Sequence, residues 1–324
     1  YSREHERQAD EIGYQRLVRA GFAPRAMAAF FQRLQQATRL QEGNAPGYLR
    51  THPLTFERIA EAQDLAFSSP YKQVPDSIEY LLVRALLRSY EGTPEDAVAH
   101  LRKQLDTAHG DARNAALYGL AATHLRAGKF GEAMGEIRAL DKAGFSHPMV
   151  EALAGQILLQ SGQYPAALAR YEAALTRYPN HMQLVYDYPR TLLKAGNAPA
   201  AARFAESQLS RRRDDRTLLE IAAEAQAKIG HQTLSHYHLG ELYALQGNLK
   251  EAIQQMEIAV RAQDSGDQAQ ALVEGRLVAL RKQQREERQD RSLFGGRGPG
   301  NLADPATAPS THPENRSLRS FTKP

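Results

Sequence analysis

Residues 148–181 read PMVEALAGQILLQSGQYPAALARYEAALTRYPNH, and their spacing sets the fold. Small Gly155 and Ala167 fall where two consecutive helices must approach closely, with Gly162 between them to end the first. Tyr171 supplies a bulky group on the second helix, Ala174 a further small one, and Pro179 closes the unit. The stretch is 34 residues long, and its glycine recurs. Gly92, Gly128, Gly162, Gly196 and Gly230 follow at intervals of 36, 34, 34 and 34. A period near 34 marks a helix–turn–helix array, in which each unit buries its apolar face against its neighbours.

The pattern is that of tetratricopeptide repeats. Residues 233–266 repeat it with Gly240, Tyr243, Gly247, Ala252, Met256 and Ala259. Weaker copies carry Ala85, Gly92, Ala97 and Leu101, then Ala121, Gly128, Ala133 and Ile137. A further copy has Gly196, Ala201 and Ala205, with Pro189 at a small-residue position, where it is expected to kink or shorten its helix. Gly230 and Gly247 are only 17 apart, so a repeat is altered between Ile221 and His238 and the phase resets. A last helix, about Asp267 to Arg291, sets Leu272, Leu277 and Leu280 against a charged face and suits a terminal cap. The expectation is an all-α chain with a right-handed stack of helix pairs over 73–292. Beyond Phe294, Gly-Gly-Arg-Gly-Pro-Gly and a Pro, Thr and Ser mixture predict a disordered tail over 293–324.

Composition excludes several classes. No stretch reaches the roughly 18 to 20 apolar residues that span a bilayer. Net charge is +4, and the basic residues alternate with acids, as in Arg211-Arg212-Arg213-Asp214-Asp215-Arg216. With no aromatic-and-basic patch, nucleic acid is not an expected partner. The absence of cysteine rules out disulfides and thiolate metal sites, and fits an oxidising compartment. Tyr1 is no initiator methionine and no signal segment precedes it, so the chain is expected to start downstream of its natural N-terminus.

The first 70 residues differ from the array. Ser2 caps a helix from about Arg3 to Ala20, with Gly21 as terminator. Pro24 opens a second helix ending near Leu40. A polar loop with Gly43, Pro46 and Gly47 leads to Thr51-His52-Pro53, and Thr55 caps a third helix through Ala66. In the first helix Glu6, Asp10, Gly13, Leu17 and Ala20 share one stripe, so two carboxylates sit in line with apolar residues. Carboxylates rarely turn inward without a cation or strong donors. On spacing alone, the simpler reading is that Glu6 and Asp10 sit where the buried stripe reaches solvent.

Tyr1-Ser2-Arg3-Glu4-His5-Glu6-Arg7-Gln8-Ala9-Asp10, then Gly21-Phe22, Thr51-His52-Pro53-Leu54 and Glu57-Arg58, resemble the M48 zinc metalloproteases, specifically their bacterial periplasmic, repeat-bearing subgroup. Glu6-x-x-Ala9-Asp10 and His52-Pro53-x-x-x-x-Arg58 are specific as a pair. The resemblance implies that Glu6 is a zinc ligand and Asp10 an orienting residue behind it, with His52 and Arg58 beside the metal. It makes Arg58 a donor to the developing oxyanion. His52 either shares that role or occupies the open metal position. The cofactor implied is Zn2+. The His-Glu-x-x-His helix that supplies two ligands and the general base is absent here; His5-Glu6 continues as Arg7-Gln8-Ala9. The chain is thus expected to be the downstream part, 1–72, of a protease domain followed by the array. The implied function is a periplasmic zinc endopeptidase, incomplete as given, whose repeats bind protein substrates or the outer-membrane assembly machinery. The alternative is a non-catalytic repeat chaperone or adaptor on a degenerate protease remnant.

Overall fold

The structure is a computed structural model and describes residues 3–39, 55–69, 72 and 74–294. Among them there are fifteen α-helices and no strand. His52, the loop with Gly43, Pro46 and Gly47, the Ser2 cap and the expected tail beyond residue 294 lie outside the described residues. The chain divides into two compact units, Tyr1–Phe145 and Ser146–Pro324.

In the first unit, α1 (Arg3–Arg19), α2 (Ala26–Arg39) and α3 (Phe56–Phe67) form a small cluster in which α3 packs on both others. Ala28, Phe31, Ile59 and Ala62 fill the centre of the α2–α3 contact. Tyr14 is the buried residue of α1; its hydroxyl donates to the Leu65 carbonyl at 2.7 Å and lies 2.6 Å from Ser69 Oγ. The inward face of α1 thus runs Glu6–Asp10–Tyr14–Leu17, and Ala20 is exposed. The expected stripe was one residue off at Gly13, because the helix turns Tyr14, four residues beyond Asp10, toward α3.

The same unit continues with α4 (Ile78–Arg88), α5 (Pro94–Thr107), α6 (Gly110–Arg126) and α7 (Phe130–Lys142). Thr93 and Asp96 close a reciprocal capping box at the start of α5. Central α6 is buried on nearly every side from Ala115 to His124. At Gly119 a Cβ would stand 3.0 Å from Leu101 and 3.1 Å from the Ala85 carbonyl, so α4 and α5 approach α6 through a missing side chain.

The second unit holds α8 (Pro148–Gln160), α9 (Tyr164–Arg177), α10 (Met182–Lys194), α11 (Ala198–Leu209), α12 (Arg216–Ile229), α13 (Gln232–Leu245), α14 (Leu249–Ala262) and α15 (Asp267–Phe294), each packed on the next. Gly155 and Ala167 are buried at the α8–α9 contact as expected, and a Cβ at Gly155 would overlap the Tyr171 ring. Gly162, at φ +79°, makes the turn between the two helices.

Two expectations change, and the altered repeat between Ile221 and His238 takes a definite form. Pro189 does not shorten its helix: α10 runs unbroken from Met182 to Lys194, with Pro189 buried. In the capping helix Val273, Leu277 and Leu280 are buried, at 0%, 8% and 0% exposure, whereas Leu272 is 51% exposed. Spacing of 4 and 3 keeps Val273 on the Leu277–Leu280 stripe; Leu272 falls off it. The 17-residue interval is resolved by α13. That single helix has a glycine turn at each end and packs on α12 before it and α14 after it, so the phase shifts by one helix without a break in the stacking.

Candidate functional site

Glu6 and Asp10 stand one turn apart on α1, and Arg58 answers from the first turn of α3. The backbone fixes that answer: the Arg58 amide donates to the Thr55 cap hydroxyl at 3.3 Å, so the residue that anchors the helix start also carries the guanidinium. Arg58 Nε and Nη2 donate to the two oxygens of Asp10 at 2.7 and 2.8 Å, a bidentate pair. Arg58 Nη1 lies 3.0 Å from Glu6 Oε2. The three side chains are only 14–16% exposed. Beneath them the guanidinium carbon sits 5.4 Å from the centroid of the Phe31 ring.

One cation thus serves two inward-facing carboxylates. The hydrogen bond to Asp10 pushes the Arg58 pKa up, against the opposing effect of burial, and the charges of Asp10 and Glu6 add to it. Around this centre, Arg3–Glu57 at 3.8 Å and Arg7–Glu61 at 3.9 Å are exposed pairs, each contributing roughly 0–1 kcal/mol. A groove of about 360 Å3 opens beside Asp10 between α1 and α3, lined also by Arg7, Glu11, Glu61, Asp64 and Leu65.

The structure therefore brings together Glu6, Asp10 and Arg58, while His52 lies outside the described residues. Sequence reasoning missed Tyr14 and Phe31. Tyr14 had a signal, since it continues the Glu6–Asp10 stripe at a further step of four. Phe31 had none, because only the packing of α2 on α3 puts it under Arg58. Among the described residues no group of three or more His, Cys, Asp or Glu side chains is placed to hold a metal ion. The donors present fit one corner of a zinc site, a carboxylate with a second carboxylate and a cation behind it, and not a whole one.

Residues 1–66 match the family model Peptidase family M48, and residues 158–229 and 205–267 match two tetratricopeptide repeat models. The chain is thus similar to Peptidase family M48 at its start and to tetratricopeptide repeats further on. It is similar to proteins named beta-barrel assembly-enhancing protease: the Escherichia coli (strain K12) protein is 27% identical over 88% of this chain, and the Yersinia pestis protein 26% identical over 87%. The chain spans 58% of the length of each. Among solved structures, a tetratricopeptide repeat protein from Parabacteroides merdae ATCC 43184 aligns with 69% of this chain and 94% of its own, at 15% identity and a TM-score of 0.42. No helix among the described residues is long and apolar enough to cross a membrane.

Proposed function

We propose that this chain is the downstream part of a zinc-dependent endopeptidase, incomplete on its own. Residues 1–72 would belong to the protease domain, 73–292 to a repeat scaffold that binds substrate or partner, and 293–324 to a tail. The names of its relatives support a role in assembly or quality control of outer-membrane β-barrel proteins, and hence a periplasmic location. The observation that carries the reading is the Arg58 guanidinium shared by Glu6 and Asp10, inside the segment that matches the peptidase model. A buried acid pair held by one arginine is costly to build, and a helix with no further task would place apolar residues there.

Glu6 would be the carboxylate ligand of the metal and Asp10 the residue that fixes its surroundings. The remaining ligands would come from sequence upstream of Tyr1. The metal would supply Lewis-acid polarisation of the scissile carbonyl and an activated water. Apolar side chains on this side of the chain fit a domain whose other elements lie outside it: Phe22, Phe30, Phe56 and Phe67 are 58–74% exposed.

Arg58 takes a different role from the one its resemblance implies. Its fork is committed to Asp10 and its third nitrogen to Glu6, so we assign it to holding the two carboxylates in place. His52 remains beside the metal in this reading, either stabilising the transition state or plugging the open position. In the longer protein, Arg58→Ala should lower zinc retention as well as proteolysis. Full zinc retention with a ~10²- to 10³-fold loss of turnover would instead make Arg58 an oxyanion donor. Raised proteolysis by His52→Ala would identify the plug, and lowered proteolysis the stabiliser.

A further inference from the structure

Three large apolar side chains are exposed among the described residues of the second unit, and two of them, Leu272 (51%) and Val278 (65%), stand on α15. They share its outer face with Ala271, Gly275 and Ala279, opposite the Val273–Leu277–Leu280 stripe that α15 buries. Ion pairs on either flank fix that rotation. Arg276 donates to both oxygens of Glu241 on α13 at 2.5 and 3.0 Å, and Arg281 donates to Glu257 on α14 at 2.7 Å. A Cβ at Gly275 would meet nothing within 4 Å. Glycine inside a helix is destabilising relative to alanine, and the packing within one chain gives no reason for it here.

The face is complementary to itself under a two-fold axis. When two copies of α15 lie antiparallel and cross at Gly275, residues equally far before and after it come together. Helix phase then sets Leu272 on the partner's Ala279 and Val278 on the partner's Ala271, so each large side chain meets a small one. The facing glycines let the two backbones approach. Charge follows the same symmetry. The flank of this face carries Asp267 in the first turn of α15, and Lys282 and Arg285 in its second half. An antiparallel pair puts Asp267 beside the partner's Lys282 and the partner's Arg285. A parallel pair would set acid on acid and base on base, which is unfavourable.

We propose that α15 is the docking surface for α15 of a second copy of this chain, the two helices crossing antiparallel at Gly275 in a two-fold symmetric dimer. Leu272 and Val278 are its apolar centre, and Asp267 with Lys282 and Arg285 set its direction. One helix pair lies at the small end of specific interfaces, so the dimer is weak and reversible, with a Kd of roughly 10–100 µM.

Sedimentation equilibrium of the whole chain at about 5 to 300 µM spans that range and should show a reversible monomer–dimer equilibrium. Leu272→Asp changes a side chain exposed in the monomer. It should raise the Kd at least ~10-fold while leaving the helical spectrum and the urea midpoint unchanged. Lys282→Glu and Asp267→Lys should each weaken self-association. An equimolar mixture of these two variants should restore it, because every such contact between them is again of opposite charge. The chain has no cysteine, so a single introduced one reports the axis. Gly275→Cys should close a disulfide between copies under mild oxidation. Lys282→Cys should not, since its two copies would stand about 20 Å apart along the helices. A monomer at about 300 µM, a dimer indifferent to Leu272→Asp, a mixture no tighter than its parts, or a disulfide formed more readily by Lys282→Cys than by Gly275→Cys would each overturn the proposal. The first result would leave the face to a different protein or to residues 295–324 of this chain.

Discussion

Arg58 is the residue on which the N-terminal cluster turns, because it neutralises two carboxylates that α1 directs inward. Removing it strands both. Arg58→Ala should destabilise the packing of α1 on α3 by about 2–4 kcal/mol, toward the lower part of the range for breaking a buried pair because the side chains keep some solvent access. Urea unfolding, or hydrogen exchange of the α1 amides, would measure it; a change below about 0.5 kcal/mol would make the trio an ordinary surface pair. Arg58→Lys should recover only part of the loss, since an ammonium cannot reproduce the bidentate fork on Asp10. At this scale the sequence was partly readable. The 4-residue step from Glu6 to Asp10 marked an unusual stripe, and the resemblance supplied Arg58. The pairing itself was not readable, because 48 residues separate Arg58 from Asp10 and only packing closes that distance.

Helices meet through small residues in the array, and the cost of filling those positions follows from what faces them. Gly155→Ala would drive a methyl into the Tyr171 ring, a rigid neighbour that is itself fully buried. It should cost about 1–3 kcal/mol. Gly240→Ala meets the terminal methyl of Met256, which can swing aside, and should cost less. Chemical denaturation of both variants tests the order, and a larger loss at Gly240 would contradict it.

Asp187 on α10 gives a pH-dependent case. It is buried, it accepts from Gln156 and Gln183, and burial is the chief cause of its raised pKa. A carboxyl raised on folding contributes stability at low pH that is lost as pH rises through its folded pKa. Asp187→Asn should thus be more stable than the parent at neutral pH, on the order of 1 kcal/mol, with the difference shrinking as pH falls. A gap that widens in acid would reverse the sign of the argument.

Element boundaries were well marked in the sequence, since turn glycines and caps such as Thr55 and Thr93 are local signals. Register within an element was less so. Leu272 and Val273 are both apolar, and only contact with α13 and α14 turns Val273 inward. Pro189 does not shorten its helix for a related reason: neighbouring helices on both sides hold α10 through a residue that would destabilise it in isolation.

At the level of the whole molecule, repeats and site call for different evidence. The 34-residue period announced the array because each unit repeats the same packing problem. The site is not self-contained in this way, since one proposed metal ligand lies here and its partners do not. The chain alone should hold no zinc tightly and should not cleave casein, because a lone carboxylate cannot replace three ligands. The most direct test of the account is the zinc content of the longer protein that includes the sequence upstream of Tyr1, compared with its Glu6→Gln variant by elemental analysis after dialysis. The account predicts about one zinc per wild-type chain and a large loss in the variant, whose amide is a poor ligand. Equal zinc in the two proteins, or no zinc in either, would contradict it.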